Sequence, residues 1–186
     1  MTIDLHDGPA VRAALLEQIK TKAVVHGKVI LSSGQEADYY VDLRRVTLDA
    51  DAAPLVGAAV LHLTSDLDYA AAGGLTLGAD PIATAMLHSG RQLGRTIDAF
   101  VVRKEGKAHG LQRRIEGPDV AGKRVLAVED TSTRGVTVLA AVEALREAGA
   151  EVVGVAVIVD RGARAMVEAA GLEYRTVFEL SDLGLA

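Results

Sequence analysis

The stretch RVLAVEDTSTRGVT, Arg124 to Thr137, runs from four apolar residues into two adjacent carboxylates and then a row of hydroxyls around a glycine. Val125, Leu126, Ala127 and Val128 read as a short buried strand, and Val138, Leu139, Val142 and Leu145 recur at helical spacing. The reading is strand, loop, helix, with Glu129 to Thr137 as the loop. A loop that opens a helix presents unpaired backbone N–H groups at the positive end of the helix dipole, which suits phosphate. Thr131, Ser132, Thr133 and Thr137 add hydroxyl donors there, and Gly135 lets the backbone approach a ligand.

Working outward, the same alternation of strands and helices repeats. Val11, Leu15 and Ile19 follow Pro9 on one face of an opening helix, and Leu55, Ala59 and Leu63 mark a second. Between them, KAVVHGKVILSSGQEADYYVDLRRVTL reads as strands around a Ser33–Gly34 turn, with Tyr40, Asp42 and Arg44 expected on one face of an extended segment. From Asp68 come YAAAGG as a strand, a helix with Asp80 as N-cap and Pro81 as its first residue, and a strand over Ile97 to Val102. A long polar loop precedes the strand at Val125; beyond its helix come the strand VVGVAVIV and a helix from about Ala163. The expected fold is α/β, a central parallel sheet with helices on both faces. No repeat, low-complexity tract or linker divides the 186 residues, so one domain over residues 1–186 is expected.

Composition narrows the chemistry. The chain has no cysteine, which removes disulfides, thiolate nucleophiles and thiolate metal sites. A formal net charge of -5 argues against a general nucleic-acid binder and makes any basic cluster informative. The N-terminus MTIDLHDGPA lacks a basic stretch followed by an apolar core, and no apolar run reaches the length of about eighteen residues that a membrane span needs. A soluble, cytoplasmic protein is expected.

Ligands of open parallel sheets bind beyond the carboxyl ends of the strands. The loops there contain nearly every unusual cluster in the sequence. Glu129 and Asp130 would repel a phosphate but accept hydrogen bonds from hydroxyls, so a sugar phosphate satisfies both halves of that loop. An acidic, Thr-rich helix cap is the plainer alternative. Between strands, VRKEGKAHGLQRRIEG (Val102 to Gly117) sets Arg103, Lys104, Lys107 and His109 among glycines at 106 and 110. Such a loop suits a polyanion arriving from solution, or is a solvated basic surface.

These residues carry a resemblance. VLAVEDTSTRG is similar to the phosphoribosyl pyrophosphate (PRPP) motif of the type I phosphoribosyltransferases, and RKExKxHG followed by IEG resembles the mobile catalytic loop of the orotate phosphoribosyltransferases. The likeness extends from about Val25 to the C-terminus. It implies a type I phosphoribosyltransferase fold with a small N-terminal hood, contributed mainly by about residues 20–48, in which Tyr39 and Tyr40 cover the base or simply pack. It implies transfer of the 5-phosphoribosyl group from PRPP to orotate, giving orotidine 5-phosphate and pyrophosphate, with Mg2+ held mainly by PRPP and water. By the same likeness, Arg103, Lys104, Lys107 and His109 hold pyrophosphate, with Lys107 and His109 assisting its departure. Glu129 and Asp130 hold the ribose hydroxyls and complete the catalytic set. Thr131, Ser132, Thr133, Arg134, Gly135, Val136 and Thr137 cradle the 5-phosphate, and Thr133 and Arg161 meet orotate. GGLTLGADPIA corresponds to the loop that approaches pyrophosphate, where Gly73, Gly74 and Gly78 permit unusual backbone geometry. A homodimer with shared active sites is also implied.

Departures from the family pattern bear on function. Arg134 stands where a small residue, commonly threonine, is usual; Val136 removes a possible donor; Ser32 occupies a site that is lysine in one branch. Two rival readings follow: a purine-base phosphoribosyltransferase, because the PRPP motif is shared, and a PRPP-sensing regulator without turnover, for which Arg134 is the best argument.

Overall fold

The computed structural model describes residues 3–30, 36–104 and 114–185. Helix α1 (Gly8–Gln18), capped by Asp7 through Ala10 N–H, runs into a π-helical turn, Ile19–Ala23. Strands β1 (Val24–Ile30) and β2 (Glu36–Val41) pair antiparallel as a separate two-stranded sheet, with Val24 opposite Val41 and His26 opposite Tyr39. The Ser33–Gly34 turn and Ser32 lie outside the described residues. β2 ends at Val41, and Arg44 already lies in the short helix α2 (Arg44–Thr47). The extended segment over Tyr40, Asp42 and Arg44 therefore stops early. The three side chains still meet, because Arg44 donates to Asp42 at 2.9 Å and to the Tyr40 hydroxyl at 3.3 Å.

The main sheet follows: α3 (Ala53–Leu63), β3 (Ala71–Leu75), α4 (Ala79–Gln92), β4 (Asp98–Val102), β5 (Ile115–Glu116), β6 (Arg124–Ser132), α5 (Val136–Glu147), β7 (Glu151–Asp160), α6 (Arg164–Ala169) and β8 (Tyr174–Glu179). Its order is β5-β4-β3-β6-β7-β8, parallel throughout except for the short β5 at the edge. The expected parallel sheet is thus present, with β5 and β8 in addition to the strands read from the sequence.

Both faces of the sheet are covered, which is why its strands are continuous apolar runs. Leu126 and Val128 face a core built with α1, α3 and α4. Val125 and Ala127 face a second core built with α5, Val167 and Leu172. The period of two along β6 assigns each residue to one layer. Among the described residues no helix is long and apolar enough to cross a membrane.

Leu126 is fully buried at the sheet centre, whereas Met166 is 54% exposed on α6. Leu126→Ala is expected to cost about 3 kcal/mol in urea unfolding, and Met166→Ala less than about 0.5 kcal/mol. A Leu126 variant with an unmoved midpoint would contradict this placement of the core.

Candidate active site

β6 extends as a strand through Ser132, so Glu129, Asp130 and Thr131 belong to the strand and only residues 133–135 turn toward α5. Pairing explains the difference: Glu129 sits opposite Val157, Thr131 opposite Val159 and Ser132 opposite Asp160, so ladder bonds hold polar residues that look loop-like by type. The acidic pair is consequently fixed on a central strand, paired on both sides with β3 and β7.

Glu129 is only 4% exposed. Its Oε1 accepts from the Asp130 N–H at 3.2 Å, while Oε2 is buried with no hydrogen-bond partner among the described residues. Burial pushes its carboxyl up to about 8 from an ordinary 4.5, and the negative charges of Asp130 and Asp80 add to the effect. Asp130 is half-buried and its Oδ1 accepts from the Thr131 N–H at 2.6 Å. The arrangement calls for hydroxyl donors or a cation, which would pay the desolvation cost of ionising Glu129.

Over this pair lies the turn between β3 and α4. The Thr76–Leu77 peptide is cis, and the Thr76 N–H donates to the Val102 carbonyl at 2.9 Å. The unusual backbone geometry of this loop is that cis bond; Gly73, Gly74 and Gly78 themselves have no positive φ. Space is their reason: a Cβ at Gly78 would lie 2.1 Å from Glu129 Oε1 and 3.0 Å from Asp130 Oδ1, and one at Gly74 would lie 2.2 Å from the Val128 carbonyl. Asp80 is not the N-cap either. The helix begins at Ala79, and Asp80 Oδ2 instead accepts from the Thr76 hydroxyl at 2.7 Å.

Gly135 does adopt a left-handed conformation, φ 70°, closed to most side chains. It starts α5 with no side-chain cap and no acidic residue in the first turn. The leading N–H groups of a 12-residue helix are thereby left without a capping side chain. Thr133, Arg134, Val136 and Thr137 ring this helix mouth and are exposed, while Ser132 is buried.

At the neighbouring strand end the Arg161 N–H donates to the Ser132 carbonyl at 2.9 Å, so Arg161 and Thr133 stand at adjacent strand ends. Among the described residues the Arg161 guanidinium makes no ion pair. Its turn is anchored by Asp160, 4% exposed, whose Oδ1 accepts from Gly162 N–H, Ala163 N–H and the Tyr174 hydroxyl at 3.0, 2.8 and 2.9 Å. Sequence reasoning missed this anchor because its partner lies on the unanticipated β8.

Arg103 and Lys104, both exposed, end β4 and line a cavity of about 510 Å³ with Thr76 and Glu116. Arg103 pairs with Glu116 at 3.4 Å. Lys107 and His109 lie outside the described residues. Tyr39 packs against the main core and donates to the Leu185 carbonyl at 3.2 Å.

This is the geometry of a phosphoribosyltransferase. The family model of the phosphoribosyl transferase domain matches residues 73–177, and the chain belongs to that family. Within it the chain stands among the orotate phosphoribosyltransferases. It is 68% identical to the orotate phosphoribosyltransferase of Streptomyces avermitilis over 94% of this chain and 98% of that protein. A structure of Mycobacterium tuberculosis orotate phosphoribosyltransferase in complex with Fe(III) dicitrate superposes with a TM-score of 0.86 at 59% identity, covering 94% of this chain and 99% of the other. Another, in complex with PRPP, does so with a TM-score of 0.83 at 53% identity and the same coverage.

The raised Glu129 carboxyl has a sign that can be measured. Because the folded state holds this proton above the pH at which the unfolded chain loses it, stability falls as pH rises from about 4.5 to about 8. Removing the charge with Glu129→Gln should therefore raise the melting temperature of the ligand-free protein at about pH 9 by roughly 4 °C or more, and change it little near pH 5. An equal change at both pH values would mean that Glu129 is not held protonated.

Proposed function

We propose that the chain catalyses the reaction of orotate with PRPP to give orotidine 5-phosphate and pyrophosphate, the committed nucleotide-forming step of pyrimidine synthesis. The observation that carries the mechanism is the juxtaposition, at the carboxyl edge of one sheet, of two carboxylates, an uncapped helix N-terminus and an unpaired arginine. Ribose hydroxyls, phosphate and an orotate carboxylate are the three groups they would recognise.

In this reading the 5-phosphate is cradled by Thr131 through Thr137, chiefly on the backbone N–H groups at the start of α5. Glu129 and Asp130 accept from the ribose 2- and 3-hydroxyls. As the bond from ribose C1 to pyrophosphate breaks, the departing oxygen takes the electron pair and the ring gains positive charge. A bond then forms from orotate N1, which gives up its proton. The two carboxylates stabilise the ring charge, and Arg103, Lys104, Lys107 and His109 receive the leaving group, so catalysis is positioning and electrostatics. Thr133 and Arg161 orient orotate, the guanidinium forking onto its carboxylate.

The donor set suits a hard cation brought in by the substrate. Its members are carboxylates, one with an unpartnered buried oxygen, and among the described residues no three His, Asp or Glu side chains converge to cage a metal. Magnesium brought in with PRPP would supply positive charge against the pyrophosphate as it leaves, with Glu129 and Asp130 the carboxylates near enough to help hold it. We further propose a cytoplasmic homodimer in which each basic loop serves the neighbouring site. PRPP is a polyanion and orotate a carboxylate, and charged substrates of this kind do not cross a membrane unaided, which supports that location.

The deciding experiment is loss of orotate absorbance with PRPP and magnesium, run for the wild type beside Arg134→Thr. Turnover by the wild type with orotate, and none with adenine, guanine or hypoxanthine, is expected; a silent wild type rescued by Arg134→Thr would mean that the long cation blocks the phosphate pocket. Two variants then separate the roles. Lys107→Ala should lower kcat by about 100-fold with little change in orotate affinity. Arg161→Ala should raise the orotate KM by about tenfold or more and leave that for PRPP nearly unchanged.

A further inference from the structure

Asp80 is poorly explained by folding alone. It sits in the first turn of α4, where a carboxylate gains from the helix dipole, but that gain is available to an exposed side chain. Here Oδ1 is buried with no hydrogen-bond partner among the described residues, and the charge acts against the neighbouring buried Glu129. A half-satisfied carboxylate beside another carboxylate is a stability cost that an apolar residue would avoid. Local rules broken in this way concentrate at functional sites.

What Asp80 does supply is an acceptor for the Thr76 hydroxyl at 2.7 Å. Thr76 is the hinge of the turn in three directions. Its N–H is tied to the end of β4 at Val102, one residue from Arg103, and its side chain lines the same cavity as Arg103 and Lys104. Two residues on, Gly78 presses its backbone against the Glu129 and Asp130 carboxyls. The short turn thus connects the cationic stem to the acidic pair. Its own residues, Leu77 and Gly78, make no side-chain hydrogen bond that would fix it.

We infer that Asp80 and Thr76 are a positioning pair: their hydrogen bond fixes the turn over residues 76–78 so that its backbone meets the diphosphate end of PRPP between Arg103 and the Glu129–Asp130 carboxylates. The inference rests on the reading of the site as a PRPP site and adds two residues to it. Neither acts on the reacting atoms. Their effect falls on PRPP and leaves orotate, bound from Thr133 and Arg161, untouched.

The test is steady-state kinetics of Thr76→Val, Thr76→Ser, Asp80→Ala and the Thr76→Val/Asp80→Ala double variant, with melting temperatures of each. Thr76→Val keeps shape and removes the donor. Its KM for PRPP should rise about tenfold and its orotate KM stay within about twofold, with no loss of melting temperature, and Thr76→Ser should restore the wild-type value. Asp80→Ala should match Thr76→Val, and the double variant should be no worse than either single one, as expected of two residues acting through one bond. Wild-type kinetics in Thr76→Val, failure of Thr76→Ser to rescue, or additive losses in the double variant would each overturn the inference while leaving the site reading intact. A wild type unable to use PRPP would remove both.

Discussion

Glu129 and Asp130 are adjacent residues of one strand, and the first of them is almost wholly removed from water. Ionising a carboxylate in such surroundings is unfavourable, and the nearest groups, Asp130 and Asp80, make it more so. The electrostatic conflict is not relieved by any cation among the described residues; Arg44 is within electrostatic reach of Asp130, but its own hydrogen bonds go to Asp42 and Tyr40. The site is therefore built to be completed by its ligand. Under the proposed function, a cyclic cation developing on a ribose, with hydroxyls beside it, would supply both the charge and the donors that the protein withholds, which is differential binding of the transition state.

The sheet order explains why the pair sits where it does. From β3 the chain crosses through α4 to β4 on one side, while from β6 it crosses through α5 to β7 on the other. The direction of winding reverses between β3 and β6, and the crevice that opens at such a reversal is where α/β sheets bind ligands. β3 delivers the turn at 76–78, β6 delivers the carboxylates and the mouth of α5, and β7 delivers Arg161. One topological feature thus brings together pieces that are widely separated in sequence.

Much of this was legible in the sequence, and the parts that were not have physical reasons. Continuous apolar runs revealed β6 and β7 because both faces of the sheet are covered, and the helices showed their period through the same burial. The end of β6 was not legible: Glu129 and Asp130 are poor strand formers by type, and the ladder to β7 keeps them extended. β8 was missed because YRTVFE neither alternates cleanly nor forms a continuous apolar run, a weak signal without its partner strand. Asp80 was read as a cap from local pattern alone, since the hydroxyl it accepts from belongs to a cis-bonded turn that no propensity describes. The carboxylate loop and Arg161 were singled out one by one in the sequence, and it is the sheet that sets them at adjacent strand ends.

The same distinction bears on Arg134 and Val136, the residues that set this chain apart from the usual motif. Read as side chains, a long cation and an apolar residue alter the wall of a phosphate pocket. In the fold both point away from the core, Val136 at 65% exposure, and Arg134 makes no ion pair among the described residues. On the proposed reading, what would face a phosphate at this place is the backbone: the N–H groups that begin α5 after the left-handed turn at Gly135. Recognition by main-chain donors depends on φ and ψ and is nearly indifferent to the side chains around it. Gly135 is the exception, because a Cβ there would be strained and would lie 3.1 Å from Val167 Cγ2. The position at which this loop has least room for variation is accordingly its glycine, while its two unusual neighbours stand on the exposed side of the turn.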